Sequence, residues 1–210
     1  MSQGLRERKK QEVRDAIAEA AFALFAARGF ESVKVTEVAE AANVSAATVF
    51  NYFPTKEDLL YVRMEEFERA LLAAVRDRPA GESVLDAFGR FLVARAHEAA
   101  KRGFAERAAA FARIVSDSPS LLARERQVVA GYSDALAALL AEETGAAADD
   151  IRPRVVAGAL MAVHRALIDH VRERALAGRV TPRLAADVEA RCHEALALLA
   201  AGIGSYGDAS

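Results

Sequence analysis

Apolar residues recur at intervals of three and four along most of the chain, the spacing that places side chains on one face of an α-helix. Gly, Pro, Asn and Ser separate these periodic stretches. Ala and Leu dominate the apolar residues and favour helix over sheet. The pattern therefore predicts an all-α protein of about nine helices. The first ends at residue 28, and the others cover residues 36–42, 46–53, 55–77, 84–101, 104–115, 118–143, 151–177 and 181–202.

Two of these helices are short and are joined by a tight turn. Asn43 favours the turn because Asn readily adopts the left-handed backbone conformation, and Ser45 is a good cap for the following helix. Val49 and Phe53 lie one helical turn apart, so we expect both to face inward. The other side chains of this helix are small or polar, as a helix that enters the DNA major groove requires. They are Ala46, Ala47, Thr48, Asn51 and Tyr52.

Local signals mark further helix ends. Gly29 suits the left-handed position that ends a helix, and Phe30 is placed to fold back on Phe25. Thr36 is a good N-cap for the first short helix. Thr55 and Asp58 form a capping-box pattern that opens the helix predicted over 55–77. We expect one end of that helix to touch the two short helices, which form a helix-turn-helix, and the other end to belong to the next domain.

The segment NVSAATVFNYFPTKEDLL, residues 43–60, resembles the DNA-binding segment of the TetR/AcrR family of bacterial transcriptional regulators. The likeness is detailed over the N-terminal third and extends to helix count and length in the remainder. It implies an N-terminal three-helix helix-turn-helix domain over residues 1–54. It also implies a C-terminal helical ligand-binding and dimerisation domain over 55–210. A family member of this kind is a repressor, released from a palindromic operator when a small hydrophobic or amphipathic ligand binds.

The resemblance also implies DNA contacts at matching positions. Phe50 stands where the family usually has Tyr, and Asn51 is the strongest hydrogen-bonding base reader of the set. The first ten residues carry four cations and one anion, a net charge of +3, and such an arm can follow phosphates or reach a minor groove. A solvated, loose terminus is the alternative. The expected DNA-binding residues are Arg6, Lys9, Lys10, Thr36, Ser45, Ala46, Ala47, Thr48, Phe50, Asn51, Tyr52 and Lys56.

The remaining helices hold the candidate effector site and dimer interface. Aromatic residues with a few polar groups are typical of a ligand cavity, although an ordinary core is the alternative. The expected ligand-binding residues are Phe67, Leu71, Phe88, Phe91, Arg95, Phe111, Tyr132 and His164. The last two helices carry a second apolar stripe, which indicates a four-helix-bundle homodimer rather than a monomer with a thick core. The expected interface residues are Val156, Leu160, Val163, Leu167, Leu184, Val188, Leu196 and Leu199.

Composition and spacing argue against other classes of protein. The net charge of −2 disfavours a non-specific DNA organiser, and the single cysteine excludes an intramolecular disulfide. No apolar run suggests a signal peptide or a spanning helix, so we expect a cytoplasmic protein. His164 and His170 do not share a helix face, so no metal site or other cofactor is expected. A helical ligand-binding protein or enzyme that does not bind DNA is the alternative, but no acid/base pair supports an enzyme.

Overall fold

The computed structural model describes residues 2–99, 104–181 and 183–202. Within these residues the chain forms α-helices and one short 3-10 helix, Glu57–Leu59, and no strand, which confirms the all-α prediction. None of these helices is both long enough and apolar enough to traverse a bilayer. The helices are α1 (Ser2–Arg28), α2 (Val35–Ala41), α3 (Ala46–Tyr52), α4 (Met64–Arg76), α5 (Val84–Ala99), α6 (Phe104–Ser116), α7 (Pro119–Thr144), α8 (Arg152–Leu176) and α9 (Leu184–Ala201).

The chain folds into two compact units. The first contains the residues up to Glu65 together with Arg113–Arg126, and the second contains Glu66–Ala112 and the chain from Gln127 onward. The domain boundary expected after residue 54 therefore falls inside the first unit. Helices α4, α6 and α7 each contribute residues to both units. We call Arg113–Arg126, where α6 ends and α7 begins, the corner.

The first unit is held together by the apolar faces of α1, α2 and α3. Gly29 ends α1 with φ +81°, and the Phe25 and Phe30 rings meet edge to face at 5.0 Å, as expected. Residues 2–10 form the start of α1 rather than a separate arm, and Arg8 pairs with Glu12 one turn further on at 3.6 Å. The buried core of this part includes Ile17, Ala21, Phe25, Phe30, Val33, Val38, Val49, Phe53 and Leu59.

The predicted Thr36 cap is wrong, because α2 begins at Val35 and Lys34 is the capping residue. The Lys34 backbone N–H donates to the Glu37 carboxylate at 2.7 Å, which satisfies one of the N–H groups that helix starts leave unpaired. Arg28 donates to the same carboxylate at 2.7 Å. Together the Lys34 N–H and the Arg28 guanidinium hold the pKa of Glu37 below its ordinary value.

The continuous helix expected over 55–77 is also wrong. The capping box is present, since the Thr55 N–H donates to the Asp58 carboxylate at 3.0 Å and the Asp58 N–H to the Thr55 hydroxyl at 3.3 Å. It opens only the 3-10 turn Glu57–Leu59, and α4 begins afresh at Met64. The break lets Leu59, Leu60 and Tyr61 all be buried, which a single α-helical face does not allow.

Three side-chain contacts attach the corner to the N-terminal residues. The Tyr61 hydroxyl donates to the Leu121 carbonyl at 2.8 Å. Arg124 pairs with Asp58 at 2.8 Å, and the Ser118 hydroxyl donates to the Glu31 carboxylate at 2.7 Å. Buried Val115 and Leu121 add apolar contact area. The corner is thus an integral part of the first unit although it is distant in sequence.

The second unit packs α5, α8 and α9 closely. A side chain at Gly89 of α5 would lie 2.5 Å from a Leu196 methyl group on α9, so the glycine permits this approach. Six of the eight residues expected at the dimer interface are buried within the subunit, so little of their surface is left for a partner to cover. They are Leu160, Val163, Leu167, Leu184, Val188 and Leu196, whereas Val156 is exposed and Leu199 is half-buried. Gly103, which separates two predicted helices, Pro182, at the start of the last predicted helix, and the tail 203–210 lie outside the described residues.

Replacing Tyr61 by Phe tests the attachment of the corner. We expect the free energy of unfolding to fall by about 1 kcal/mol, because the Leu121 carbonyl loses a buried hydrogen bond while the ring is kept. Tyr52→Phe is the control, since Tyr52 is half-buried and makes no hydrogen bond with described residues, and we expect a change within ~0.5 kcal/mol. Urea unfolding at one protein concentration measures both, and equal effects would contradict the attachment.

Candidate nucleic-acid interface

The turn between α2 and α3 fixes how α3 is presented. Asn43 has φ 54°, the left-handed conformation expected for it. The Val44 N–H donates to the Ala39 carbonyl at 2.9 Å, and the Ser45 hydroxyl accepts the Thr48 N–H at 3.0 Å, which confirms Ser45 as the cap. The turn therefore closes α2 and opens α3 within four residues.

Burial of one side of α3 leaves its other side in solvent. Val49 is 1% and Phe53 2% exposed, as predicted. Opposite them Phe50 is 51% exposed, and Ala47 and Asn51 are also exposed. The exposed surface of a seven-residue helix thus carries one phenyl ring, one methyl group and one amide.

This outward set can read base edges in two ways. The Asn51 amide makes no hydrogen bond with the described residues, so both its donor and its acceptor are available for an adenine edge. Phe50 and Ala47 offer only hydrocarbon, which suits the thymine methyl group. Ala46 is half-buried and contributes less surface. The chemistry of this face favours A·T base pairs.

The Ser45 and Thr48 hydroxyls, both expected to contact DNA, form a hydrogen bond with each other. Their oxygens are 2.8 Å apart, in addition to the capping bond from the Thr48 N–H. Thr48 is also half-buried, so its hydroxyl serves the structure of α3 first. Thr36 differs, because it is exposed on α2 and its hydroxyl makes no hydrogen bond with the described residues. Thr36 is the freer of the two threonines for a phosphate contact.

The Lys56 ammonium is held near the first unit's core. It donates to the Phe30 carbonyl at 2.5 Å and lies 4.2 Å from the centre of the Phe30 ring. An ammonium has three donors, so a phosphate contact at this half-buried group is compatible with the Phe30 bond. Tyr52 lies four residues before Lys56 and is half-buried. Its hydroxyl makes no hydrogen bond with the described residues.

Other cations of the first unit are more exposed. Arg6, Lys9 and Lys10 lie on the N-terminal part of α1 with exposed side chains. Lys34, which the sequence analysis did not single out, is exposed at the start of α2 and forms no ion pair within the described part of the chain. The one indication of such a role in the sequence is that Lys34 is a cation two residues before Thr36, an expected DNA contact. These groups provide phosphate-binding charge within a unit whose net charge is zero, since its 12 Lys and Arg equal its 12 Asp and Glu.

Part of the expected effector site forms a cluster in the second unit. Phe67 of α4 contacts Phe91 of α5, Tyr132 of α7 and His164 of α8, at ring-centre distances of 5.2, 5.4 and 4.7 Å. Leu71 and Phe88 are fully buried, and Phe111 is half-buried. Arg95 is exposed on α5, and the role expected for it in orienting a ligand stays a prediction.

His164 is the buried polar member of this cluster. It is 7% exposed, and its Nδ1 atom has no hydrogen-bond partner among the described residues. Burial, with a contribution from the nearby Arg165 charge, lowers the pKa of His164 to about 4, so the ring is neutral at pH 7. An unpaired buried nitrogen costs roughly 1–3 kcal/mol.

Two of the other three histidines have carboxylate partners, the third, His193, is exposed, and the cysteine is buried. His170 pairs with Asp187 at 2.7 Å and His97 with Glu189 at 2.9 Å. Burial raises the pKa of the Cys192 thiol. In the part of the chain that is described, no three His, Cys, Asp or Glu side chains converge as metal ligands would.

Two segments of the chain match known protein families. Residues 17–61 match the family described as bacterial regulatory proteins, tetR family, and residues 78–204 match the MftR C-terminal domain. The helix-turn-helix transcriptional regulator TcmR of Streptomyces glaucescens is 34% identical over 167 residues, 77% of this chain and 74% of that protein.

Solved structures share the fold. NalD of Pseudomonas aeruginosa, the secondary repressor of the MexAB-OprM efflux pump, covers 89% of this chain and 96% of its own with a TM-score of 0.59 and 19% identity. FadR of Thermus thermophilus, a transcriptional repressor solved with lauroyl-CoA, covers 89% and 93% with a TM-score of 0.56 and 23% identity.

Asn51→Ala tests the base-reading face. We expect it to relax the preference at one base position, because a bidentate amide contributes roughly 1–3 kcal/mol of discrimination. Thr36→Ala is the control and should weaken all sequences alike, because phosphate contacts carry no direct sequence information. Selection of bound duplexes from a random pool, followed by sequencing, measures the preferences. Unchanged base preferences in the Asn51 variant would refute the assignment.

Proposed function

The chain belongs to the tetR family of bacterial regulatory proteins, and from this premise we propose that it represses transcription from a palindromic operator and releases that operator when a small hydrophobic or amphipathic molecule binds. It is a DNA-binding transcriptional regulator. The observation that supports the DNA contact most directly is the solvent-exposed face of α3 with Phe50 and the unpaired Asn51 amide. The complex of FadR with lauroyl-CoA supports the expectation of an amphipathic effector.

Exposed apolar side chains support a homodimer. Among the described residues six large apolar side chains are exposed. Phe50 lies on α3, and the other five lie on α8, on the residue before it or on α9. They are Ile151, Val155, Val156, Leu176 and Leu198. Such a concentration on two neighbouring helices is typical of a protein interface.

The dimer face inferred here differs from the stripe first predicted. On α8, Val155, Ala162 and Ala166 recur at helical spacing and are exposed, and exposed Gly158 lies between them. Small residues let a helix of the partner approach closely, and the larger Leu160 and Leu167 remain in the subunit core. A two-fold dimer presents two recognition helices, which suits half-sites about 34–36 Å apart.

The corner connects helices of the second unit, along the chain, to the DNA-binding unit. Helices α6 and α7 begin or end in the corner and continue into the second unit. A ligand that shifts either helix therefore displaces Ser118, Leu121 and Arg124. These residues contact Glu31, Tyr61 and Asp58, respectively. Such a ligand favours a conformation with different operator affinity, and the equilibrium shifts accordingly.

Electrophoretic mobility shift with the DNA upstream of the protein's own gene tests this function. We expect a complex that survives excess unrelated DNA and weakens steeply between 50 and 200 mM salt, by roughly 10³-fold or more for six or more phosphate contacts. A scrambled duplex of equal length is the control. Equal binding to both duplexes would indicate a non-specific organiser, and no binding would indicate a ligand-binding protein that does not act on this DNA.

Ala162→Glu tests the dimer face. We expect it to convert the dimer to a monomer, because two carboxylates would be buried without partners at the symmetric interface. Operator affinity should fall by roughly 100-fold, because the two half-sites are then bound independently. Ala138→Glu, at an exposed position of α7, is the matched control. Analytical ultracentrifugation measures the mass, and a dimeric Ala162→Glu variant would contradict this interface.

A further inference from the structure

Phe67 is the central ring of the aromatic cluster and also its most exposed member. Its ring contacts those of Phe91, Tyr132 and His164, whereas no ring contact joins those three to one another within the described residues. Phe91, Tyr132 and His164 are 7%, 2% and 7% exposed, while Phe67 is half-buried. The phenyl ring of Phe67 therefore fills a site that three buried rings line, and the residue as a whole remains partly open to solvent.

The cluster contains an unsatisfied polar atom. His164 Nδ1 is sealed from solvent and has no partner, and it is the one such side-chain atom in the described part of the chain. Buried polar atoms are nearly always paired, so an unpaired one requires an explanation, and a bound water or ligand is one. The Phe67 ring, 4.7 Å from the imidazole centre, offers no donor. The occupant that completes this site must supply one.

We propose that the effector of the second unit is a planar aromatic molecule with a hydroxyl group, that its ring replaces the Phe67 ring against Tyr132 and Phe91, and that its hydroxyl donates to His164 Nδ1. The inference rests on the proposed function, which requires an effector. A ring exchanged for a ring keeps the aromatic contacts, and the hydroxyl adds a hydrogen bond that phenylalanine lacks. His164 accepts this bond when its proton is on Nε2.

The charge of the cluster favours a neutral hydroxyl over a carboxylate. Burial keeps the imidazole uncharged at neutral pH, since the pKa of His164 is about 4. The neighbouring Arg165 is exposed, as is Arg95, so neither provides a buried cation for an acid. A carboxylate would therefore be desolvated without a partner. A hydroxyl needs only the one acceptor that the site offers.

Displacement of Phe67 would act on a helix shared by both units. Phe67 lies on α4, whose first two residues, Met64 and Glu65, belong to the first unit. Moving the ring out of the cluster requires a new rotamer of Phe67 or a shift of α4. Either change alters the packing of a helix that leads directly to Tyr61 and the corner. Effector binding and operator affinity are linked in this way.

The test compares 1-naphthol with 1-methylnaphthalene, which has a methyl group in place of the hydroxyl. We expect the intact chain to bind 1-naphthol about tenfold more tightly, the affinity difference of one added hydrogen bond. His164→Leu should abolish this preference while keeping the fold, because it replaces an unpaired polar group by an apolar one. His193→Leu, at an exposed position on α9, is the control and should retain the preference. Isothermal titration calorimetry measures the six affinities, two compounds against each of the three proteins.

Phe67→Ala provides a second, independent readout. Removing the ring that fills the site should strengthen binding of both compounds by about tenfold, since no displacement is then needed. The proposal is overturned if neither compound binds this variant, if both bind the intact chain equally, or if the preference survives His164→Leu. An ordered water on Nδ1 would produce the second of these results.

Operator release separates this inference from the proposed function. We expect 1-naphthol to release the intact chain from its operator and to have no such effect on His164→Leu. If the operator is bound specifically but 1-naphthol does not release it, the effector class is wrong and the regulator remains. If no operator is bound in the absence of any ligand, the proposed function itself fails.

Discussion

Burial of Val49 and Phe53 against the first unit's core is the interaction on which the DNA-binding account depends. A helix of seven residues is not stable alone, because nucleation costs more than two turns can return. Its position therefore comes from these two anchors, from the Ser45 cap and from the left-handed turn at Asn43. Once they are fixed, Phe50 and Asn51 have to face outward. The same residues that hold α3 in place thus decide which chemistry meets the base pairs.

The first unit also depends on contacts with the corner, whose residues lie far along the chain. Tyr61, Asp58 and Glu31 lie 60, 66 and 87 positions before their partners. Helices α6 and α7 continue from these contacts into the second unit, so the two units share these helices along the chain.

Most of the local chemistry, apart from the cap of α2, was predictable from the sequence, whereas most long-range placement was not. Asn43, Ser45 and Gly29 behave as expected because each acts through its own backbone or a neighbouring turn. The sequence did not predict the helix break before Met64, because the apolar spacing continues through it. In α8 the larger residues of the stripe, such as Leu160, went to the subunit core and left Gly158 and Ala162 outside, a choice that periodicity cannot decide. The corner contacts join residues with no sequence signal linking them.

Hydroxyl-radical footprinting of the operator complex tests the central claim, that the outward face of α3 enters the major groove twice in a symmetric pair. The account predicts two protected regions on one face of the duplex, centred one helical turn or a whole number of turns apart, about 10–10.5 base pairs each. Substituting uracil for thymine within them should weaken binding, because Phe50 and Ala47 meet the missing methyl groups. A single protected region, or protection on opposite faces, would contradict the account.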